Sequence, residues 1–169
     1  MMPILPYKNI LPTIGNDVFI APTSAVIGDC VIGDESSIWY GCTLRGDVHE
    51  IRIGKRTNIQ DGTVIHTTRG VSGTYIGDEV TVGHMALLHA CTIESNAFVG
   101  MGAVVMDQAV IESGAMLAAG AMLTPGKRIP EGELWAGHPA KFMRKLTQED
   151  LDFFPVSADN YVRLAKEYL

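Results

Sequence analysis

The sequence predicts an all-β solenoid, a triangular parallel coil of six-residue repeats, followed by a C-terminal α-helix. Three observations predict it. First, hexads open with an aliphatic residue at positions 14 to 44, 53 to 65, 76 to 88 and 93 to 129, in steps of six. All 19 opening positions are Ile, Leu or Val, although these types make up only 41 of the 169 residues. Three phase slips, of +3, +5 and −1, are needed to keep that register. Second, the fifth residue of most hexads is small or β-branched, as in Ser24, Cys42, Thr63, Ala86, Ala103 and Ala121. One aliphatic and one small inward residue per six describe a short flat strand and a turn, and three such strands close a coil around a narrow stacked core. Third, the pattern changes at Thr147, an N-cap with Asp150 at the third helical position, after which Tyr161, Leu164, Ala165 and Tyr168 recur at helical spacing. The expected organisation is therefore a solenoid over 1–146 and a helical segment over 147–169 that lies back along the prism.

Composition excludes several classes of function. A formal charge of −6 and a pI near 5.3 argue against nucleic acid or an anionic membrane as partner. The stretch MMPILPYKNILP holds three prolines and no apolar run of signal-peptide length, and no segment approaches a membrane span. Cys30, Cys42 and Cys91 have no metal-type spacing, and their odd number suits reduced, buried thiols in a cytoplasm.

The histidines carry the chemistry. In VGHMALLHA, His84 and His89 are five residues apart, a step that neither a helix nor one strand converts into a shared face. Coil arithmetic resolves the spacing. Leu44 to Ile65 is 18 residues plus the +3 slip, and Ile65 to Leu88 is 18 plus the +5 slip. Arg45, His66 and His89 then form one outward column, with adjacent coils about 4.8 Å apart. Extending the column gives Ile27 and Met106, neither a ligand type. Ile59 and Val82 are also 23 apart, which sets Gln60 and Asp61 one coil from Gly83 and His84, on another side of the triangle. Association around a three-fold axis brings the His84 side of one protomer against the His66/His89 side of the next. The expectation is a homotrimer with a three-histidine site at each seam and an open fourth position, as in catalytic zinc. Arg45, Asp47 and Asp61 would form a salt-bridge network in that seam, and Gln60 would orient a bound water. His49 and His138 read as surface residues.

The repeat itself resembles the left-handed parallel β-helix of hexapeptide-repeat proteins, and the handedness comes from that resemblance. The motifs LRGD (44–47), NIQDGTVIH (58–66), VGHMALLHACTI (82–93) and GMGAVV (100–105) resemble the γ-class carbonic anhydrase family. The resemblance implies Zn2+, Fe2+ or Co2+ on His66, His84 and His89, and a contact from Gln60 to the attacking hydroxide. It also implies that Arg45, Asp47 and Asp61 organise the trimer seam and assist catalysis. The implied reaction is reversible hydration of CO2 to bicarbonate. The chain departs from the archaeal type in two places. Val48 stands where a glutamate follows the aspartate of R-x-D, and the acidic loop is reduced to TTRGVSGTY (67–75), with no carboxylate. Tyr161 matches a C-terminal tyrosine of short-loop relatives and would order water, while His49 and Glu50 are substitute proton carriers. Two rival readings stand beside this one. One is acyl chemistry, either a metal-free CoA-dependent transferase with a histidine base or a thioesterase of the same family. The other is a low-activity assembly homologue.

Overall fold

The computed structural model describes residues 3–169. It is a parallel β-solenoid of about seven turns with one C-terminal helix. Short strands stack on three faces, each paired in parallel with the strand one turn earlier. One face stacks Val26, Leu44, Ile65, Leu88, Val105 and Leu123, all fully buried. The second stacks Ile14, Ile32, Ile53, Ile76, Ile93, Ile111 and Ile129. The third stacks Ile20, Ile38, Ile59, Val82, Val99 and Leu117. These are the residues that open the hexads, so the predicted inward column and register are what the fold uses. Burying one such side chain stabilises the coil by about 1.5–3 kcal/mol. The fifth residues Cys42, Thr63, Ala86, Ala103 and Ala121 are buried beside them, where the narrowing triangle has no room for more atoms. Cys30, Cys42 and Cys91 are free and buried.

All three phase slips fall at one corner, immediately after Leu44, Ile65 and Leu88. The +3 slip is a bulge inside strand Thr43–Ile53, where residues 47–50 lie against Asp29 alone, between Gly28 and Cys30 of strand Ala25–Ile32. The +5 slip is a tight loop over 67–73, closed by an antiparallel bridge between Thr68 and Ser72. The −1 slip removes one residue between His89 and strand Thr92–Ile93.

Strands Glu133–Gly137 and Ala140–Lys145 end the coil as an antiparallel hairpin around His138 and Pro139, a reversal that the hexad register does not announce. The helix Gln148–Lys166 follows. Thr147 Oγ1 accepts from the Asp150 amide at 3.2 Å and Asp150 Oδ2 accepts from the Thr147 amide at 2.7 Å, the capping box expected from the sequence. The helix packs on the third face through Phe154, Ser157, Ala158, Val162 and Ala165, while Leu164 and Tyr168 stay exposed. Its far end is held by ions: Arg56 bonds Glu35, Glu79 and Asp159, and Lys166 reaches Glu35 at 2.6 Å.

Candidate metal centre

Strands Val64–His66 and Leu87–His89 pair in parallel with His66 directly opposite His89, as the coil arithmetic requires. Because Ile65 and Leu88 point into the core, the next residue on each strand points out. His66 Nδ1 and His89 Nε2 face each other at 3.2 Å. The other nitrogen of each ring is bound to a carboxylate: His66 Nε2 to Asp47 Oδ1 at 3.0 Å, and His89 Nδ1 to Asp107 Oδ1 at 2.7 Å. An ionised carboxylate only accepts hydrogen bonds, so both bound nitrogens carry the ring proton. The two facing nitrogens are then lone pairs, and only a cation between them, metal or proton, relieves their repulsion. Tetrahedral coordination at 2.0–2.1 Å per bond separates two nitrogen ligands by about 3.3–3.4 Å. The observed pair, each ring backed by a carboxylate, therefore fits a Zn2+-type ion.

Arg45 joins this column. Its guanidinium lies 2.5 Å from Asp47 Oδ2, so Asp47 binds Arg45 with one oxygen and His66 with the other. Burial works against ionising Asp47, but the hydrogen bonds from Arg45 and His66 hold its carboxyl below the ordinary range.

His84 sits elsewhere. It occupies the turn after strand Thr81–Val82, at the preceding corner of the triangle, and its Nδ1 lies 2.9 Å from Asp61 Oδ2 one coil away. Among the described residues, no three His, Cys, Asp or Glu side chains of one chain form a group able to hold a metal. A single chain thus brings together Arg45, Asp47, His66 and His89, and keeps His84 and Asp61 apart from them.

Comparison with known proteins follows the same line. The bacterial transferase hexapeptide (six repeats) model matches residues 12–46 and 90–125, leaving between them a stretch that runs from Asp47 to His89. A protein named gamma carbonic anhydrase 2, mitochondrial, from Arabidopsis thaliana is 54% identical over 160 residues, which is 92% of this chain and 58% of that protein. The chain therefore spans less than three-fifths of that plant relative's length. A carbonic anhydrase from Geobacillus kaustophilus is 42% identical over 165 residues, 98% of this chain and 90% of the relative. The chain belongs to the γ-class carbonic anhydrase family. A crystal structure of a hexapeptide transferase family protein from Anaplasma phagocytophilum has the same fold, with a TM-score of 0.95 and 52% identity over 98% of both chains.

Three further expected residues, Gln60, His84 and Tyr161, meet in a cleft of about 340 Å3 between the third face and the helix, lined also by Phe98, Met101 and Phe153. Gln60 is buried and its Nε2 donates to Asn58 Oδ1 at 3.0 Å, which leaves the carbonyl end of the amide free to accept. Tyr161 packs edge-on to Trp39 with ring centroids 5.5 Å apart. Burial, and then the negative charge of Asp61, push the Tyr161 phenol above its ordinary range, so it stays a hydrogen-bond donor. Beside Asp47 a second recess of about 270 Å3 opens between the bulge and the N-terminal segment, lined by Tyr7, Lys8, Asp29, His49 and Glu50. His49 Nδ1 there accepts from the Glu50 amide, and the Glu50 carboxylate accepts from Tyr75 at 3.0 Å.

Sequence reasoning missed Asp107 and Thr68. The register sets Met106 opposite His89, and the apolar side chain there ended the column. Asp107 is one step further on, in the turn, and reaches back to His89. Its other oxygen accepts a hydrogen bond from the Thr68 hydroxyl, which with His89 holds the Asp107 carboxyl below the ordinary range. A carboxylate 18 residues beyond His89 was the available clue, hidden because the −1 slip makes this coil 17 residues long and puts Asp107 one step past the strand register.

Proposed function

We propose that the protein is a metal-dependent carbonic anhydrase that interconverts CO2 and bicarbonate at sites shared between protomers of a homotrimer. The observation that carries this reading is the His66–His89 pair, with nitrogens 3.2 Å apart and each ring backed by a carboxylate. His84 of a neighbouring protomer supplies the third ligand. In support, His84 stands at a corner beside strongly exposed Met85 and Met101, and Val64 and Leu87 are exposed on the face that carries the histidine pair. Apolar side chains left in water around a polar centre are what a protomer interface covers.

A bound Zn2+, Fe2+ or Co2+ supplies Lewis acidity, making a hydroxide nucleophile available near neutral pH. The chain's own residues do the rest. Gln60 offers its amide carbonyl to orient the attacking oxygen, and the Tyr161 hydroxyl orders water in the same cleft. Asp47 holds His66 and Arg45 in place, and Asp61 holds His84. Net hydration of CO2 releases bicarbonate and one proton, and His49 and Glu50 line the recess through which that proton leaves Asp47's surroundings. We also place the protein in the cytoplasm, with its thiols reduced. No helix of the described residues is long and apolar enough to cross a membrane.

One observation favours a second reading. The cleft is far larger than a three-atom substrate needs and is largely apolar, which suits the acyl group of a thioester. The deciding experiment is stopped-flow CO2 hydration by protein loaded with zinc, cobalt or iron at about pH 7–9, beside a panel of acyl-CoA hydrolysis assays. CO2 hydration without thioester cleavage is expected, and the reverse pattern selects the rival. His89→Ala should lose metal and activity together. Retained stoichiometric metal, or a monomer by light scattering, sinks the site as drawn.

A further inference from the structure

The loop over 67–73 has no carboxylate, yet it contacts the metal centre through a chain of hydrogen bonds spanning three consecutive coils. The Thr68 hydroxyl donates to Asp107 Oδ2, 39 residues away, and Asp107 Oδ1 accepts from His89 Nδ1 at 2.7 Å. Both ends of this chain are fixed by backbone. The loop is locked by mutual bonds between Thr68 and Ser72, at 3.0 and 3.2 Å. The turn carrying Asp107 is held by Gln108 N to the Ala90 carbonyl at 2.7 Å and by Gly126 N to the Asp107 carbonyl at 2.9 Å. The main chain on both sides is thereby held, and Asp107 reaches the His89 ring from it.

We propose that Asp107, fixed by Thr68, is a positioning residue that holds the His89 ring in the orientation and tautomer that leave Nε2 free to bind metal. This rests on the reading of His66, His84 and His89 as ligands. The inference follows from what each group can donate. Two acceptor oxygens on one carboxylate, with a hydroxyl donor on the first, leave the second able only to accept a proton-bearing nitrogen. That nitrogen is Nδ1, so the proton is kept away from Nε2.

An amide cannot do this. In Asp107→Asn the Thr68 hydroxyl takes the amide oxygen, and the amide NH2 turns to the ring. It then stabilises an unprotonated Nδ1 and moves the proton to Nε2, where the metal should bind.

The test uses full-length, metal-free protein labelled with 15N-histidine. Two-bond 1H–15N correlations read the tautomer of His89, and competitive chelator titrations with Zn2+ and Co2+ read affinity. Wild type is expected to show Nδ1–H at His89. Asp107→Asn is expected to shift it to Nε2–H and to weaken metal binding about 10–100-fold. Thr68→Val should weaken binding several-fold, and Thr68→Ser, which keeps the hydroxyl, should restore it. In Thr68→Val with Asp107→Asn the amide is free to turn its oxygen to Nδ1, so part of the loss in the single Asn variant should return. An unchanged His89 tautomer with unchanged affinity in Asp107→Asn overturns the proposal, as does Thr68→Ser behaving like Thr68→Val. A wild type that binds no metal refutes the ligand reading instead, and the tautomer measurement still decides the role of Asp107.

Discussion

The coils from Ile93 to Ile129 and the coils from Thr43 to Thr92 are built from the same hexad, but only the second set breaks it. In the regular coils every step is six residues, the small inward residue is Ala at 97, 103, 109, 115 and 121, and the surface contributes one side chain, Asp107, to the candidate centre. In the middle coils three breaks fall at one corner, and each is followed or flanked by a residue of the candidate centre: Asp47 in the bulge, Thr68 in the loop, and His89 just before the shortened step. The core does not register the difference, since Ile65 and Leu88 are as fully buried as Val105 and Leu117. Stability is thus made by the period, and the histidine pair sits where the period breaks, backed by one carboxylate from the regular coils.

That separation can be broken most forcefully in the regular coils. Leu117→Ala empties a fully buried position and should lower the unfolding free energy by about 2–5 kcal/mol in urea titrations. Metal stoichiometry at the folded state should be unchanged, and a variant that loses metal while still folded would show that the two regions are not independent. A smaller effect tests whether irregularity at the corner loosens the core beneath it. Burial raises the Cys30 and Cys42 thiols to about 11, so at neutral pH each carries about 300-fold less thiolate than an ordinary cysteine. Both should resist an exposed-thiol reagent until the chain unfolds, and rapid native-state reaction at Cys42 would mark the middle coils as loose. The sign for stability follows. With the folded-state value raised, the contribution is complete below the unfolded value of about 8.5 and is lost as pH rises towards 11.

The smallest effect concerns the helix that covers the third face. Hydrogen bonds from Arg144, then from the Thr147 backbone, hold the Asp150 carboxyl well below its ordinary range. Its folded-state value is depressed, so its contribution is present above the unfolded value of about 3.9 and is lost as pH falls below it. Helix signal in circular dichroism should weaken below about pH 4, and Asp150→Asn should flatten that dependence. A variant with the same acid limb as wild type would show that other carboxylates set it.

What could be read from the sequence follows the same division. The stacking of Leu44, Ile65 and Leu88, and with it the pairing of His66 and His89, was legible because core positions obey an integer count. The helix start was legible because Thr147 and Asp150 stand at capping-box spacing. The inward stripe of the helix was only partly so: Tyr161 and Ala165 pack inward, but Leu164 faces water because the solenoid offers a flat face rather than a groove. Asp107 and Thr68 were not legible, because their contact is made by loop and turn residues off the strand register. A pattern search that follows only the strands cannot see a bond between residues 39 apart on non-adjacent coils.

The hairpin at residues 133–145 has a consequence of another kind. A parallel stack that repeats every 18 residues is, in its backbone, the first few layers of a fibre, and its last layer exposes unpaired amides and carbonyls to any similar chain. Reversing direction at His138 and Pro139 presents an antiparallel edge instead, carrying Lys141, Arg144 and Lys145. A second molecule arriving on this face with parallel register meets the wrong hydrogen-bond pattern. The last layer of the third face is in this way closed to a parallel neighbour.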